Sequence, residues 1–109
     1  MKKAFFLLLF LLSFSWLASA QEYCQLRGSV YIESSPKRAS YRVYVEENEA
    51  FADMRVYKEE NKLYADRPGI WYFTEEADFA QFRIYLVDDP DLADFTIFYT
   101  ETESFAGCR

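Results

Sequence analysis

The stretches ADMRVYKEENKLY (residues 52–64) and ADFTIFYTETESF (residues 93–105) contain the same types of residue in the same order. Each opens with Ala-Asp, continues with a β-branched residue and an aromatic one, and ends on an aromatic side chain. Self-similarity at a fixed period is the signature of a repeat architecture. Alanine recurs with spacings of 13, 13, 15, 13 and 13 residues, at Ala39, Ala52, Ala65, Ala80, Ala93 and Ala106.

The side chains inside each unit alternate with a period of two, which is typical of β-strands. A β-branched residue followed by an aromatic one stands at the centre of every unit: Val30-Tyr31, Val43-Tyr44, Val56-Tyr57, Ile70-Trp71, Ile84-Tyr85 and Ile97-Phe98. We therefore expect a mainly β fold, in a single small domain of about six short strands built from 13-residue repeats. Short turns or single helical turns should connect the strands. The strands are predicted near Arg27–Glu33, Tyr41–Glu46, Met54–Glu59, Gly69–Thr74, Phe82–Val87 and Phe95–Thr100.

The N-terminus has the pattern of a secretory signal peptide. Lys2 and Lys3 precede the apolar run AFFLLLFLL (residues 4–12), and an A-x-A cleavage signal ends at Ala20. Nine unbroken apolar residues are too few to span a bilayer, so we expect no membrane association after cleavage. The predicted organisation is a signal peptide at residues 1–20 and a repeat domain at residues 21–109, either secreted or periplasmic.

The predicted export bears on the two cysteines. An exported chain meets an oxidising compartment, in which cysteines pair. Cys24 and Cys108 are the only cysteines in the chain, and we expect a disulfide between them.

The acidic balance and the lack of histidine exclude several classes of function. Without Lys2 and Lys3, ten basic residues stand against eighteen acidic ones, which gives a net charge of −8. A nucleic acid partner would have to overcome this repulsion, so we expect none. The chain has no histidine, the commonest general base and a common zinc ligand. We expect no catalytic residue, no cofactor and no metal.

Two acidic clusters fall in predicted links between strands. Clustered carboxylates can bind calcium, but these clusters lack the glycine and the alternation of an EF-hand loop. We interpret both as solvated turn charge. The clusters are Glu75, Glu76 and Asp78, and Asp88, Asp89, Asp91 and Asp94.

The repeated pattern A-D-x-x-V-Y with a terminal Ala-Gly resembles the septoil knot domain, a family of small bacterial proteins. The resemblance covers Cys24 to Arg109. It implies that the chain ties a seven-crossing knot, and it brings no catalytic residues to transfer. The motifs that carry it are Ala52-Asp53, Val56-Tyr57, Ala65-Asp66, Ala93-Asp94 and Ala106-Gly107.

An aromatic column follows the β-branched one along the repeats. Bulky aromatics at fixed spacing are usually packed in a core, and we favour that interpretation; the alternative is a ligand face that stacks a sugar or a peptide. The column comprises Tyr31, Tyr44, Tyr57, Trp71, Tyr85 and Phe98. The sequence thus predicts an exported, highly stable, non-catalytic module that binds a protein or glycan partner or serves a structural role. A small exported hydrolase with paired carboxylates is the alternative.

Overall fold

The computed structural model describes residues 22–108, so the predicted signal peptide lies outside the described part of the chain. Within residues 22–108 the strands are β1 (Gly28–Ile32), β2 (Tyr41–Val45), β3 (Met54–Lys58), β4 (Ile70–Phe73), β5 (Phe82–Leu86), β6 (Phe95–Tyr99) and β7 (Gly107–Cys108). Between them lie short 3-10 turns: η1 (Glu22–Gln25), η2 (Pro36–Arg38), η3 (Glu49–Phe51), η4 (Lys62–Tyr64), η5 (Ala77–Phe79), η6 (Pro90–Leu92) and η7 (Glu103–Phe105). The mainly β prediction is confirmed, and each predicted strand matches an observed one within one residue at each end.

Six of these strands close into a barrel in which all neighbours run parallel. The strand order is β4-β1-β5-β2-β6-β3, and β3 pairs with β4 to close the ring. The short β7 adds an antiparallel pairing to β3. Closure matters physically because a closed barrel leaves no unpaired strand edge.

The chain travels round the barrel twice. In the first circuit β1, β2 and β3 take alternate places; the chain then steps to the adjacent β4, and β5 and β6 fill the places between. The links of each circuit pack on strands of the other, since η2 contacts β5 and η3 contacts β6, whereas η5 contacts β1 and η6 contacts β2. Residues 52–64 and 93–105 therefore look alike because they carry the equivalent and adjacent strands β3 and β6.

The barrel interior is filled by the predicted β-branched column, with one exception. Val30, Val43, Val56, Ile84 and Ile97 are fully buried in one core cluster. Parallel strands that each bury one face of alternating residues form a core of this kind.

The exception is the fourth repeat, where the predicted orientation is wrong. Trp71 is 0% exposed and belongs to the core cluster, whereas Ile70 is buried outside that cluster. The extra residues before β4 set its phase, so that Trp71 pairs with the inward positions Gly28 and Lys58. A shift of one residue exchanges the two faces of a strand.

The N-terminal segment closes one mouth of the barrel. Tyr23 stacks on Phe95, with ring centroids 4.6 Å apart and planes inclined by 9°. The indole Nε1–H of Trp71 donates to the carbonyl oxygen of Leu26 at 3.0 Å. The predicted disulfide is present, and it joins η1 to β7 through Cys24 and Cys108, whose Cα atoms lie 5.5 Å apart.

Candidate binding surface

Each barrel strand has one 3-10 turn packed on its outer side. The pairs are η5 on β1, η6 on β2, η7 on β3, η4 on β4, η2 on β5 and η3 on β6. The turns are formed locally, since the side chains of Asn48, Asn61 and Asp89 accept hydrogen bonds from the backbone N–H two residues ahead. Asparagine and aspartate commonly favour such turns by bonding to their own backbone.

The turns also explain the repeated alanine. Each turn from η2 onward is followed by an alanine, and Ala52 and Ala65 are buried against the barrel. A small side chain lets the turn approach the strand beneath it. The large residue before the alanine points away, and the sequence pattern alone did not reveal that exposure.

These large side chains, together with Leu63 beside Tyr64, lie around the barrel, and we call them the turn ring. They are exposed to between 51% and 74%, a high fraction for residues of this size. Large apolar side chains exposed on a folded domain offer a surface for interaction. The turn ring comprises Phe51, Leu63, Tyr64, Phe79, Leu92 and Phe105. It is interrupted at η2, whose residues are Pro36, Lys37 and Arg38.

The predicted aromatic column does not lie on one face. Trp71 is inside the barrel, and the outward aromatic of β4 is Tyr72, which pairs in register with Ser29 of β1. The other members are half-buried on the outer face beneath or beside the turns: Tyr31, Tyr44, Tyr57, Tyr85 and Phe98. An unbroken ladder of six exposed rings is therefore not formed.

The acidic clusters lie in the links, with their residues exposed. Asp94 accepts a hydrogen bond from the Arg42 N–H at 2.7 Å, and Asp89 caps η6. Among residues 22–108, no three carboxylates or cysteines are grouped so that they could hold a metal ion. Within the same range, no helix is long and apolar enough to cross a membrane.

The mouth at the carboxyl ends of the barrel strands holds a cation over aromatic rings. The Lys58 Nζ lies 3.9 Å from the centre of the Tyr99 ring and 5.7 Å from that of Phe73. Burial raises the pKa of Tyr99 to about 12. Desolvation raises the pKa of Tyr23 as well, with a smaller contribution from Asp53.

A groove of about 580 Å³ opens between η4 and η5. Its floor includes the paired residues Ser29 and Tyr72, and Phe79 of the turn ring forms one wall. Its other lining residues are Lys62, Phe73, Thr74, Glu75 and Glu76. The groove thus combines aromatic faces with carboxylates and a single amine.

Together these features define a small, disulfide-closed repeat domain whose single chain builds a parallel barrel in two interlaced circuits. The chain belongs to the 7(1) septoil knot domain family, whose model matches residues 23–109. Comparison with curated proteins and with solved structures gives no match.

Proposed function

We propose that the mature chain is an exported, non-catalytic module that binds a protein partner through its turn ring. The observation that carries the proposal is the exposure of a large apolar side chain at the same repeat position of five turns. A side chain needed only for folding would be buried, and these are not. Binding to a partner would remove the apolar surface from water, which is favourable.

A protein partner is favoured over a glycan because the turn ring is partly aliphatic. Leu63 is 74% exposed and Leu92 is 60% exposed. Sugars stack on aromatic faces, whereas leucine side chains pack into the apolar core of a protein interface.

Export is tested by the intact mass of the protein recovered outside the cytoplasm. The proposal expects a chain that begins at Gln21 and carries no free thiol. A recovered species that retains residues 1–20, or that carries lipid on Cys24, would contradict it.

Binding is tested by replacing residues of the turn ring with arginine, which is the residue at the equivalent position of η2. Arg38 holds the position that Phe51 holds thirteen residues later, so Phe51→Arg and Leu92→Arg should fold. We expect both variants to lose most of the capture of exported proteins seen with the wild-type domain. Glu47→Gln changes the net charge by the same amount as Phe51→Arg, lies in an exposed link, and should retain capture. Equal capture by all four proteins would overturn the proposal.

A further inference from the structure

The groove between η4 and η5 is open because the repeat changes at one position. Ser29, Arg42 and Arg55 occupy the same outward position of β1, β2 and β3, at intervals of thirteen residues. Phe79, Leu92 and Phe105 occupy the same position of the turns that pack on those strands. At this position β2 and β3 have an arginine, whereas β1 has a serine.

The equivalent place on β3 shows what fits beneath such a turn. The Arg55 guanidinium lies over the Phe105 ring, 5.5 Å from its centre. It also forms an ion pair with Glu49 at 3.1 Å. A guanidinium is planar and weakly hydrated, and it both stacks on aromatic rings and pairs with carboxylates. Phe105 is 51% exposed and Phe79 is 71% exposed. The arginine that contacts η5 is Arg83, which donates to the Ala77 carbonyl oxygen at 3.3 Å.

The groove keeps aromatic and acidic groups that suit an arginine, although Lys62 stands at the repeat position of Glu49. Phe79 supplies the ring of the turn, and Tyr72 supplies a second ring on the floor. Glu75 and Glu76 line the same groove, and neither forms an ion pair within residues 22–108. We propose that this groove binds an arginine side chain of an extended segment of the partner protein, and we call it the arginine groove. The inference rests on the proposed binding role and names the chemistry of the partner.

Charge complementarity favours a basic segment over other occupants. The mature chain carries a net charge of −8, which attracts a cationic segment and steers its approach. Lys62 is the one amine in the lining of the arginine groove. It opposes a second cation, so its removal should strengthen binding.

The probe is the peptide acetyl-Gly-Arg-Gly-amide, titrated into the mature domain with its disulfide intact. Binding of a single side chain is weak, so it is followed by NMR shifts of the Phe79 ring and of Glu75 and Glu76. The matched peptide contains citrulline, which has nearly the shape of arginine and no charge. We expect the citrulline peptide to bind at least roughly fivefold more weakly.

Three variants test the assignment. Ser29→Arg supplies the residue found in β2 and β3, and it should fill the arginine groove and abolish the shifts. Phe79→Leu introduces the residue that η6 carries, and it should weaken binding at least roughly threefold by removing the aromatic face. Lys62→Ala should tighten binding. Because each of the first two replacements already occurs in the repeat, the fold is expected to tolerate them.

Several outcomes would overturn the inference. These are equal binding of the arginine and citrulline peptides, unchanged shifts in Ser29→Arg, or binding of a neutral oligosaccharide at these residues without binding of the arginine peptide. The test is separable from that of the proposed function. If Phe51→Arg and Leu92→Arg lose partner capture while the arginine peptide does not bind, the turn ring stands and the arginine groove does not.

Discussion

Asp53 and Thr96 bond to each other in both directions across β3 and β6. The Asp53 N–H donates to the Thr96 carbonyl oxygen at 3.0 Å, and the Thr96 N–H donates to the Asp53 Oδ2 at 2.9 Å. Asp94 and Arg42 repeat the arrangement between β6 and β2. The aspartate of the Ala-Asp motif is thus a structural partner of the neighbouring strand.

Replacement of Asp53 by alanine should therefore destabilise the domain. The Thr96 N–H is part-buried and would lose its charged acceptor, which costs about 1–3 kcal/mol. Asp66→Ala is the matched control, because Asp66 holds the same repeat position and its exposed carboxylate accepts no hydrogen bond within residues 22–108. Denaturant midpoints measure both variants. Equal midpoints would show that the carboxylate of Asp53 contributes nothing.

Gly69→Ala should destabilise far more than Gly107→Ala. Both glycines have positive φ, 84° at Gly69 and 109° at Gly107, which an alanine adopts only with strain. A Cβ at Gly69 would also overlap the backbone nitrogen of Gly107, whereas a Cβ at Gly107 has its nearest neighbour at 3.7 Å. We expect about 1 kcal/mol from strain in each variant and a further loss only in Gly69→Ala. Thermal unfolding of the pair is the measurement, and similar losses would contradict the close approach of the two backbones.

Trp71→Ala should cost about 3–5 kcal/mol, because it removes the largest fully buried side chain of the core. Trp71→Phe keeps a ring and loses the hydrogen bond to Leu26, so its cost should be smaller. Trp71 is the only tryptophan among residues 22–108, and in a protein that begins at Gln21 its emission should resist quenching by iodide. Strong quenching in the folded domain would contradict the buried position.

The stability of the domain should fall between pH 10 and pH 12 because of Tyr99. Burial raises its pKa from 10.0 to about 12, so the folded state holds a proton that the unfolded state releases. The contribution of Tyr99 is complete below pH 10 and is lost as the pH rises to 12, by about 3 kcal/mol in all.

Tyr99→Phe should flatten this loss, whereas Tyr64→Phe, at an exposed turn position, should leave it unchanged. Urea unfolding at pH 9, 10, 11 and 12 gives the comparison. An alkaline profile of Tyr99→Phe that matches wild type would assign the loss to other groups.

The disulfide should make refolding depend on the order of events. The bond joins residues 84 positions apart and stabilises the chain by about 4.6 kcal/mol through loop entropy. The resemblance to the septoil knot family implies a knot, which this bond would close into a ring that cannot untie. Native oxidised protein should then refold readily after denaturation.

In the second preparation the chain is first reduced and denatured, and it is then oxidised while still unfolded. This chain should not regain native structure until it is reduced again. Near-UV circular dichroism of the two oxidised preparations measures the difference. Recovery of both to the same extent would contradict a knot that forms before the bond does.

The strands could be predicted from the sequence because their signal is local. The alternation around Val30, Val43 and Val56 is set by two or three neighbours, and tertiary structure did not override it. The order of the strands could not be predicted, since pairing of Val30 with Phe82 joins residues of different repeats and no local pattern specifies such a partner.

The candidate site was harder to predict from the sequence than the strands, for a related reason. The predicted aromatic column assumes that every repeat has the same phase, whereas the inserted residues before β4 reverse that phase at Trp71. The turn ring was visible as a large residue before each alanine, but its exposure follows from how the turns pack on the strands. Likewise, Ser29 becomes informative only when Phe79 is known to lie above it.

The two interlaced circuits also fix how this fold can change in evolution. In a stacked solenoid, a duplicated unit lengthens the protein and preserves every existing contact between neighbours. Here the links within each circuit pack on strands of the other circuit, so an inserted unit would displace every later strand and place its turn on the wrong neighbour. The number of units is therefore locked by the path of the chain. Diversity is left to the outward side chains, which can be exchanged one at a time without disturbing the path.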